Sequence, residues 1–381
     1  MARSRIPVFV AAVALLLALP WAGAQAAGCD GAGVARAVDA VHQARIVLLA
    51  LPVGDGMETS VSPRARAAIA VMKTRLGDFV AAFLRCRPGD STSYTGAMSR
   101  LLDMPARGEG KYGATLEFTV RQPFPKLLVV TAAFAIECGT DTMLLVFTPS
   151  DTGWREVLRL QSKPYDTAAG AYDMFDYAVS PPDAAGHWFL VQKNITPWCS
   201  STWATIRYSV LRPSADALKP RVLLDASDSI WWGNEDFGRL SVAAQDFTLR
   251  FHAESIDGGV HNREWLRRFA ILGDTARRIP PLAASPRDFA DEWIVSDWSV
   301  IAPWTAKAQL RALHDRLKAV GGFDYVSIRR CAASGRTQIE VEESRGQAHY
   351  YFLIAADADM RMLDVTGAPN RTCTGPNQFK M

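Results

Sequence analysis

The side chains best equipped for chemistry gather near position 255. His252, Glu254, Asp257 and His261 run off the end of an apolar stretch into a loop carrying Gly258 and Gly259. In a strand, positions 252 and 254 share a face, so an imidazole and a carboxylate can converge there, with Asp257 and His261 brought round by the turn. Such a set can bind a divalent metal or act as an acid/base pair. The same residues equally suit a solvated loop whose Asp and His make turn hydrogen bonds. A second candidate is the adjacent pair Trp231 and Trp232. Neighbours in a strand point to opposite faces, so one indole can fill the core while the other stacks on a sugar ring or an aromatic partner.

The common catalytic signatures are missing. There is no Gly-x-Ser-x-Gly elbow, His-Glu-x-x-His pair, phosphate-binding loop or Cys-x-x-Cys. Gly108-Glu-Gly-Lys-Tyr-Gly113 has the glycine spacing of a dinucleotide fingerprint, but that motif needs a helix after it. A β-like run, Thr115 to Val120, follows instead, and the glycines read as a loop. No metal and no cofactor is implied.

The elements that would position these residues are repeated hairpins. Met143 to Phe147 with Arg155 to Leu160, Trp203 to Leu211 with Arg221 to Leu224, and Trp265 to Leu272 with Arg277 to Ile279 each form an apolar run, an Asp-bearing turn and a second run. That is the pattern of an antiparallel hairpin. Each copy also carries two earlier runs, giving four short strands per unit at a period of roughly 61 to 62 residues, the make-up of a propeller blade. Ser150-Asp-Thr-Gly-Trp154 resembles a degenerate Asp-box, with too short a Gly-to-Trp spacing. A fourth copy, from Tyr325 through Met360, follows an inserted helix over 305–320. The fold class predicted is therefore mainly β: an N-terminal helical hairpin and repeated four-stranded antiparallel meanders, propeller-like. The alternative is a β-sandwich-like body with a separate C-terminal α+β domain.

Boundaries follow from the same pass. Residues 1–27 read as an export signal: Arg3 and Arg5, the apolar stretch from Ile6 to Leu19, then Ala24-Gln-Ala26. Its apolar core of about 14 residues falls short of the roughly 20 of a spanning helix, so the mature chain is expected to carry no transmembrane segment. Residues 28–107 read as a helical hairpin and a short helix, 115–304 as the repeated β body, and 305–381 as a helix with the last β unit. Ser285-Pro286 starts a short helix that turns Phe289 and Trp293 inward at i and i+4.

Hydrophobic residues make up 49% of the chain and charged ones 21%, which excludes a disordered protein. Loss of Arg3 and Arg5 with the signal leaves 40 basic against 39 acidic side chains. Without a basic run this near-neutral balance excludes a nucleic-acid partner. The six cysteines all lie beyond the expected cleavage point, and an even count in an exported chain favours disulfides. The pairs predicted are Cys29 with Cys86 (ends of the helical hairpin), Cys138 with Cys199 (equivalent places in successive repeats) and Cys331 with Cys373 (both within the last unit). Ala26-Ala-Gly-Cys29 also suggests a lipoprotein site. Against it stand the small residue at 26 and the odd cysteine that acylation would leave, so the expected location is periplasmic or secreted.

Ser285 to Ser299, together with Glu254 to Arg263, resembles segments of uncharacterised exported bacterial proteins, over about 50 residues. That resemblance implies an exported location and no particular activity. The function expected from all of this is a non-enzymatic binding or scaffold protein of the bacterial envelope, with envelope polysaccharide or protein as its partner class. The alternative is a hydrolase or metal-dependent enzyme acting on envelope polysaccharide or peptide through the 252–261 cluster.

Overall fold

The computed structural model describes residues 31–52, 60–85, 87, 91–104, 111–197, 203–231, 237–258, 263–346, 348–357 and 359–379. Two helices open the described chain, α1 (Gly31–Leu49) and α2 (Pro63–Arg85), followed by the short α3 (Tyr94–Leu101). Proline at the first position of α2 follows Ser62, whose Oγ accepts from the Ala65 amide at 3.1 Å, so an otherwise orphaned helical N–H is satisfied. Ile69, Met72, Leu76, Phe79 and Phe83 are all buried, the stripe expected of one helical face.

Four antiparallel meanders follow in chain order. The first is β1 (Leu116–Phe124), β2 (Leu127–Ile136), β3 (Gly139–Ser150) and β4 (Gly153–Leu160). The second is β5 (Asp173–Val179), β6 (Leu190–Ile195), β7 (Trp203–Arg212) and β8 (Arg221–Trp231). The third is β9 (Arg239–Val242), β10 (Asp246–Ala253), β11 (Arg263–Leu272) and β12 (Thr275–Arg278). The fourth is β13 (Phe323–Arg330), β14 (Arg336–Glu343), β15 (His349–Ala355) and β16 (Arg361–Thr366). In every sheet the strands lie side by side in sequence order. The chain is thus mainly β, a succession of blade-like meanders. The last unit repeats the same sheet.

Between the third and fourth sheets lie α4 (Pro286–Val295), α5 (Trp298–Ile301) and α6 (Arg311–Val320). The inserted helix is shorter than the span predicted for 305–320: residues Ala308–Leu310 form a 3-10 turn before α6 begins. Gly321 ends α6 at φ +80°, a left-handed position that suits glycine. Ser285 caps α4, its Oγ accepting from the Asp288 amide, and Phe289 and Trp293 are buried as their spacing predicts. Among the described residues no helix is long and apolar enough to cross a membrane.

Four apolar clusters fix how these layers meet. The α1–α3 helices pack with one face of the first sheet through Phe79, Phe83, Phe118, Phe134 and Phe147. The other face of that sheet (Val129, Leu144, Val146, Leu158) meets Leu190 and Leu211 of the second. The second and third sheets meet through Val191, Ile206, Val210, Phe247, Leu249 and Phe251. Helices α4 to α6 pack on the fourth sheet around Trp293 and Phe352.

Cys331 and Cys373 are joined, as predicted. Cys138 is disulfide-bonded; Cys199, its expected partner, lies outside the described residues, as do Cys29 and Cys86.

Candidate functional site

Of the 252–261 cluster, His252, Glu254 and Asp257 lie among the described residues. On β10 the core face is Phe247, Leu249, Phe251 and Ala253, so His252 stands on the opposite side, half-buried and paired across the ladder with Glu264. Glu254 is exposed. Asp257 is buried and serves the joint with the last sheet, where its Oδ2 accepts from the Tyr325 amide at 3.0 Å, beside a parallel bridge to Phe323. It fastens the loop to β13. His261 lies outside the described residues. Among the described residues no group of three or more His, Cys, Asp or Glu is placed to hold a metal ion. Trp231 ends β8 half-buried, opposite Trp203, and Trp232 lies outside the described residues.

A different set of residues is brought together between the second sheet and the segment joining β4 to β5. Strand β6 is buried at all six positions although three in succession are polar, Gln192, Lys193 and Asn194. Lys193 points to one side, where its Nζ donates to the Phe237 carbonyl at 3.0 Å. Gln192 and Asn194 point to the other, in register with Ser209 and Arg207 of β7. Arg207 and Ser209 are in turn opposite Ser227 and Asp225 of β8. One face of the second sheet is thus polar across three strands. It forms a wall of a cleft of about 400 Å³, whose other lining includes Lys163, Tyr165, Gly170 and Tyr172.

The facing rim is the segment joining β4 to β5, and a buried carboxylate holds it. Asp141 of β3 is fully buried, and it accepts from Ser162 Oγ (2.9 and 3.0 Å), Tyr165 OH (3.0 Å) and the Tyr172 amide (3.2 Å). Lys73 of α2 neutralises it at 3.2 Å and also donates to Ser162 Oγ at 2.7 Å and the Ser162 carbonyl at 2.9 Å. A buried charge is tolerated only when paired and hydrogen-bonded in this way. Burial and the neighbouring Asp141 push the Tyr165 phenol far above its ordinary range, so it stays a donor. Gly170 completes the rim: a Cβ there would come within 2.1 Å of the Tyr165 Cβ. Ser162 and Lys73 have the elements of a serine/lysine pair, but Lys73 is committed to Asp141 and both are buried behind the cleft wall.

Two polar side chains in the wall of the cleft are buried and unmatched. Asn194 is fully buried, and neither its Nδ2 nor its Oδ1 has a hydrogen-bond partner. Gln192 donates to Ser209 Oγ at 3.0 Å, while its Oε1 accepts from nothing. Leaving a buried polar atom unmatched costs about 1–3 kcal/mol. Tyr172 stacks on Phe175, ring centroids 6.0 Å apart at 25°, and keeps part of its ring in the cleft. Burial raises the Tyr172 phenol, and Asp225 and Asp141 add to this while Arg207 opposes them. The arrangement offers donors, acceptors and an aromatic surface in one small concavity.

These residues escape a motif search because no fixed spacing joins them. The available signal was three successive polar residues inside a central strand, where β2 is almost wholly apolar and β10 alternates polar and apolar.

No family model and no curated protein matches the chain. Among solved structures, it is similar to an α-L-arabinofuranosidase of Fusarium graminearum in complex with an iminosugar inhibitor, at 8% identity and a TM-score of 0.27. The alignment covers 66% of this chain and 65% of that one, so the chain spans about two thirds of the neighbour's length. It is also similar to the Penicillium chrysogenum α-L-arabinanase complexed with arabinobiose, at 9% identity, a TM-score of 0.27, and coverage of 69% and 66%. Scores of this size carry no argument about the present chain, and the fold assignment rests on its own four sheets.

Proposed function

We propose that the chain is an exported binding protein that takes a small neutral saccharide in the cleft between its second sheet and the segment joining β4 to β5. The observation that carries this reading is Asn194, fully buried with both carboxamide heteroatoms unpartnered in a polar concavity. A carboxamide supplies two donors and one acceptor oxygen, which matches neighbouring sugar hydroxyls that both give and accept. Gln192 Oε1 adds an acceptor, Tyr172 an apolar ring, and Arg207 and Asp225 further polar contacts. A volume of about 400 Å³ lies in the range of small-molecule sites.

Binding is preferred to hydrolysis because glycoside hydrolysis ordinarily needs two carboxyl groups flanking one bond. Among the described residues lining the cleft, Asp225 is the one carboxylate. An exported location is supported by the Cys331–Cys373 disulfide, since such bonds persist in oxidising compartments, and by the resemblance to exported bacterial proteins.

Calorimetric titration with a panel of neutral mono- and disaccharides tests the reading. At least one should bind, and Asn194→Leu should weaken it about 10- to 100-fold, the value of one or two buried hydrogen bonds. The reading fails if no saccharide binds, or if the variant binds as well as the parent.

A further inference from the structure

A larger concavity lies at the opposite end of the chain, and its chemistry differs from that of the saccharide cleft. The hairpin joining β13 to β14, the start of α4 and the C-terminal segment enclose about 800 Å³. Three guanidinium groups line it: Arg287 from the first turn of α4, Arg330 from the end of β13, and Arg336 from the start of β14. No carboxylate lines it among the described residues. Arg287 is partly neutralised by Asp288, at 3.1 Å. Arg330 and Arg336 are exposed and make no ion pair among the described residues. The positive charge of this concavity is therefore not balanced from within.

The far wall is built to persist. The C-terminal segment runs along β13, with the Gly375 amide donating to the Arg330 carbonyl at 3.2 Å, the Gln378 amide to the Ile328 carbonyl at 2.9 Å, and Arg329 Nη1 to the Gly375 carbonyl at 3.0 Å. The Cys331–Cys373 bond fastens the same segment to the mouth of the hairpin. This wall brings Phe379 to the lining, where it joins Ile328 as an apolar surface beside the guanidinium groups. Arginine forks match the geometry of oxyanions, and the match is strongest where they carry no internal counter-charge.

We infer that this concavity is a second site, which takes a small organic oxyanion: a phosphate, sulfate or carboxylate group held by Arg330, Arg336 and Arg287, with an apolar body against Ile328 and Phe379. It is independent of the saccharide cleft and involves none of its residues.

Calorimetric titration of the full mature chain at low salt, with phenyl phosphate, phenyl sulfate and benzoate, tests the site and identifies which oxyanion it prefers. At least one probe should bind, binding should weaken steeply with added salt, and the neutral benzyl alcohol should not bind. The double variant R330A/R336A should lose at least about 10-fold in affinity while keeping its thermal midpoint, since both side chains are exposed. Asn194→Leu should bind the same probe unchanged, so failure here and failure of the saccharide reading are separate results. Should none of the three anions bind, or should R330A/R336A bind within twofold of the parent, the inference is overturned.

Discussion

The joint between the third sheet and α4 and the cleft beside the second sheet both bury polar side chains, and they differ in how far they match them. At the joint, Glu292 is buried within a cage of arginines. Arg267 Nη1 donates to its two oxygens at 2.9 and 2.8 Å, Arg263 Nη2 to Oε2 at 2.7 Å, and Ser296 Oγ to Oε1 at 2.8 Å. Arg267 grips Asp228 with its remaining edge at 2.8 and 3.1 Å, and Tyr208 donates to Asp228 at 3.1 Å. The Arg263 and Arg267 guanidinium groups both lie over the Trp265 ring, at 3.9 and 4.2 Å from its centroid. Neighbouring Asp291 accepts from Ser255 Oγ at 2.7 Å and from the Tyr325 phenol. Every carboxylate here is matched, although Arg263 Nε and Nη1 and Arg278 Nε are buried without a hydrogen-bond partner. In the cleft, Asn194 is buried to the same degree and matched by nothing. Carboxylates matched by several donors tie elements together, whereas each buried polar atom left unmatched is a cost to the fold.

The sharpest way to break this contrast is to open the closed network. Glu292→Leu leaves Arg263 and Arg267 buried without their main counter-charge, and should destabilise the chain by about 3–5 kcal/mol, read from the denaturant midpoint. A loss below about 1 kcal/mol would show that the network is not structural.

Acid should open it more gently. Burial pushes the Glu292 carboxyl up, but Arg267, Arg263 and Arg278 outweigh that and hold it at about 2, against an ordinary 4.5. A depressed folded-state pKa contributes stability that is fully present above the unfolded value and lost as pH falls through the folded one. The loss should therefore develop between pH 4.5 and about 2, amounting to about 3 kcal/mol, and should be absent in Glu292→Leu. Asp291 acts in the reverse sense, since burial raises its carboxyl above 3.8 and its protonation in acid favours the fold. The measured slope should be shallower than Glu292 alone would give.

Lys73→Met probes the wall shared by fold and cleft. Asp141 keeps its bonds from Ser162, Tyr165 and the Tyr172 amide but loses its counter-charge, which should cost about 3 kcal/mol. Because the same bonds hold the 161–172 rim, saccharide affinity should fall with it. Undiminished affinity would show that Asp141 does not position the rim.

The sheets were legible in the sequence because period-two alternation and Asp-bearing turns are local, and the first three units recur at a near-constant spacing. Ser285-Pro286 with Phe289 and Trp293 was legible for the same reason. The sites were not. Arg267 meets Glu292 from 25 positions away and Asp228 from 39, and Asp257 meets Tyr325 from 68. Such partners are chosen by how sheets stack, which no local pattern records. Asp257 reads as part of a cluster because it neighbours His252 and Glu254 in the chain; its bond from the Tyr325 amide of β13 is made across 68 positions and has no local signal. Gln192 and Asn194 carried a visible anomaly, yet its meaning depended on the 161–172 rim arriving opposite.

The smallest expected effect is the most informative about the open side of the contrast. Asn194→Leu removes two unmatched polar atoms and should leave stability unchanged or raise it by about 1 kcal/mol, by the same denaturant assay. A fall of more than about 1 kcal/mol would mean that the carboxamide serves the fold.

The central claim is tested most directly by following side-chain nitrogen resonances during a titration with the saccharide that binds. The account predicts that the carboxamide signals of Asn194 and Gln192 shift in a saturable manner while the Nε signals of Arg263 and Arg267 stay where they were. Saturable binding that leaves the Asn194 carboxamide unmoved, or that moves the arginine network instead, would contradict it.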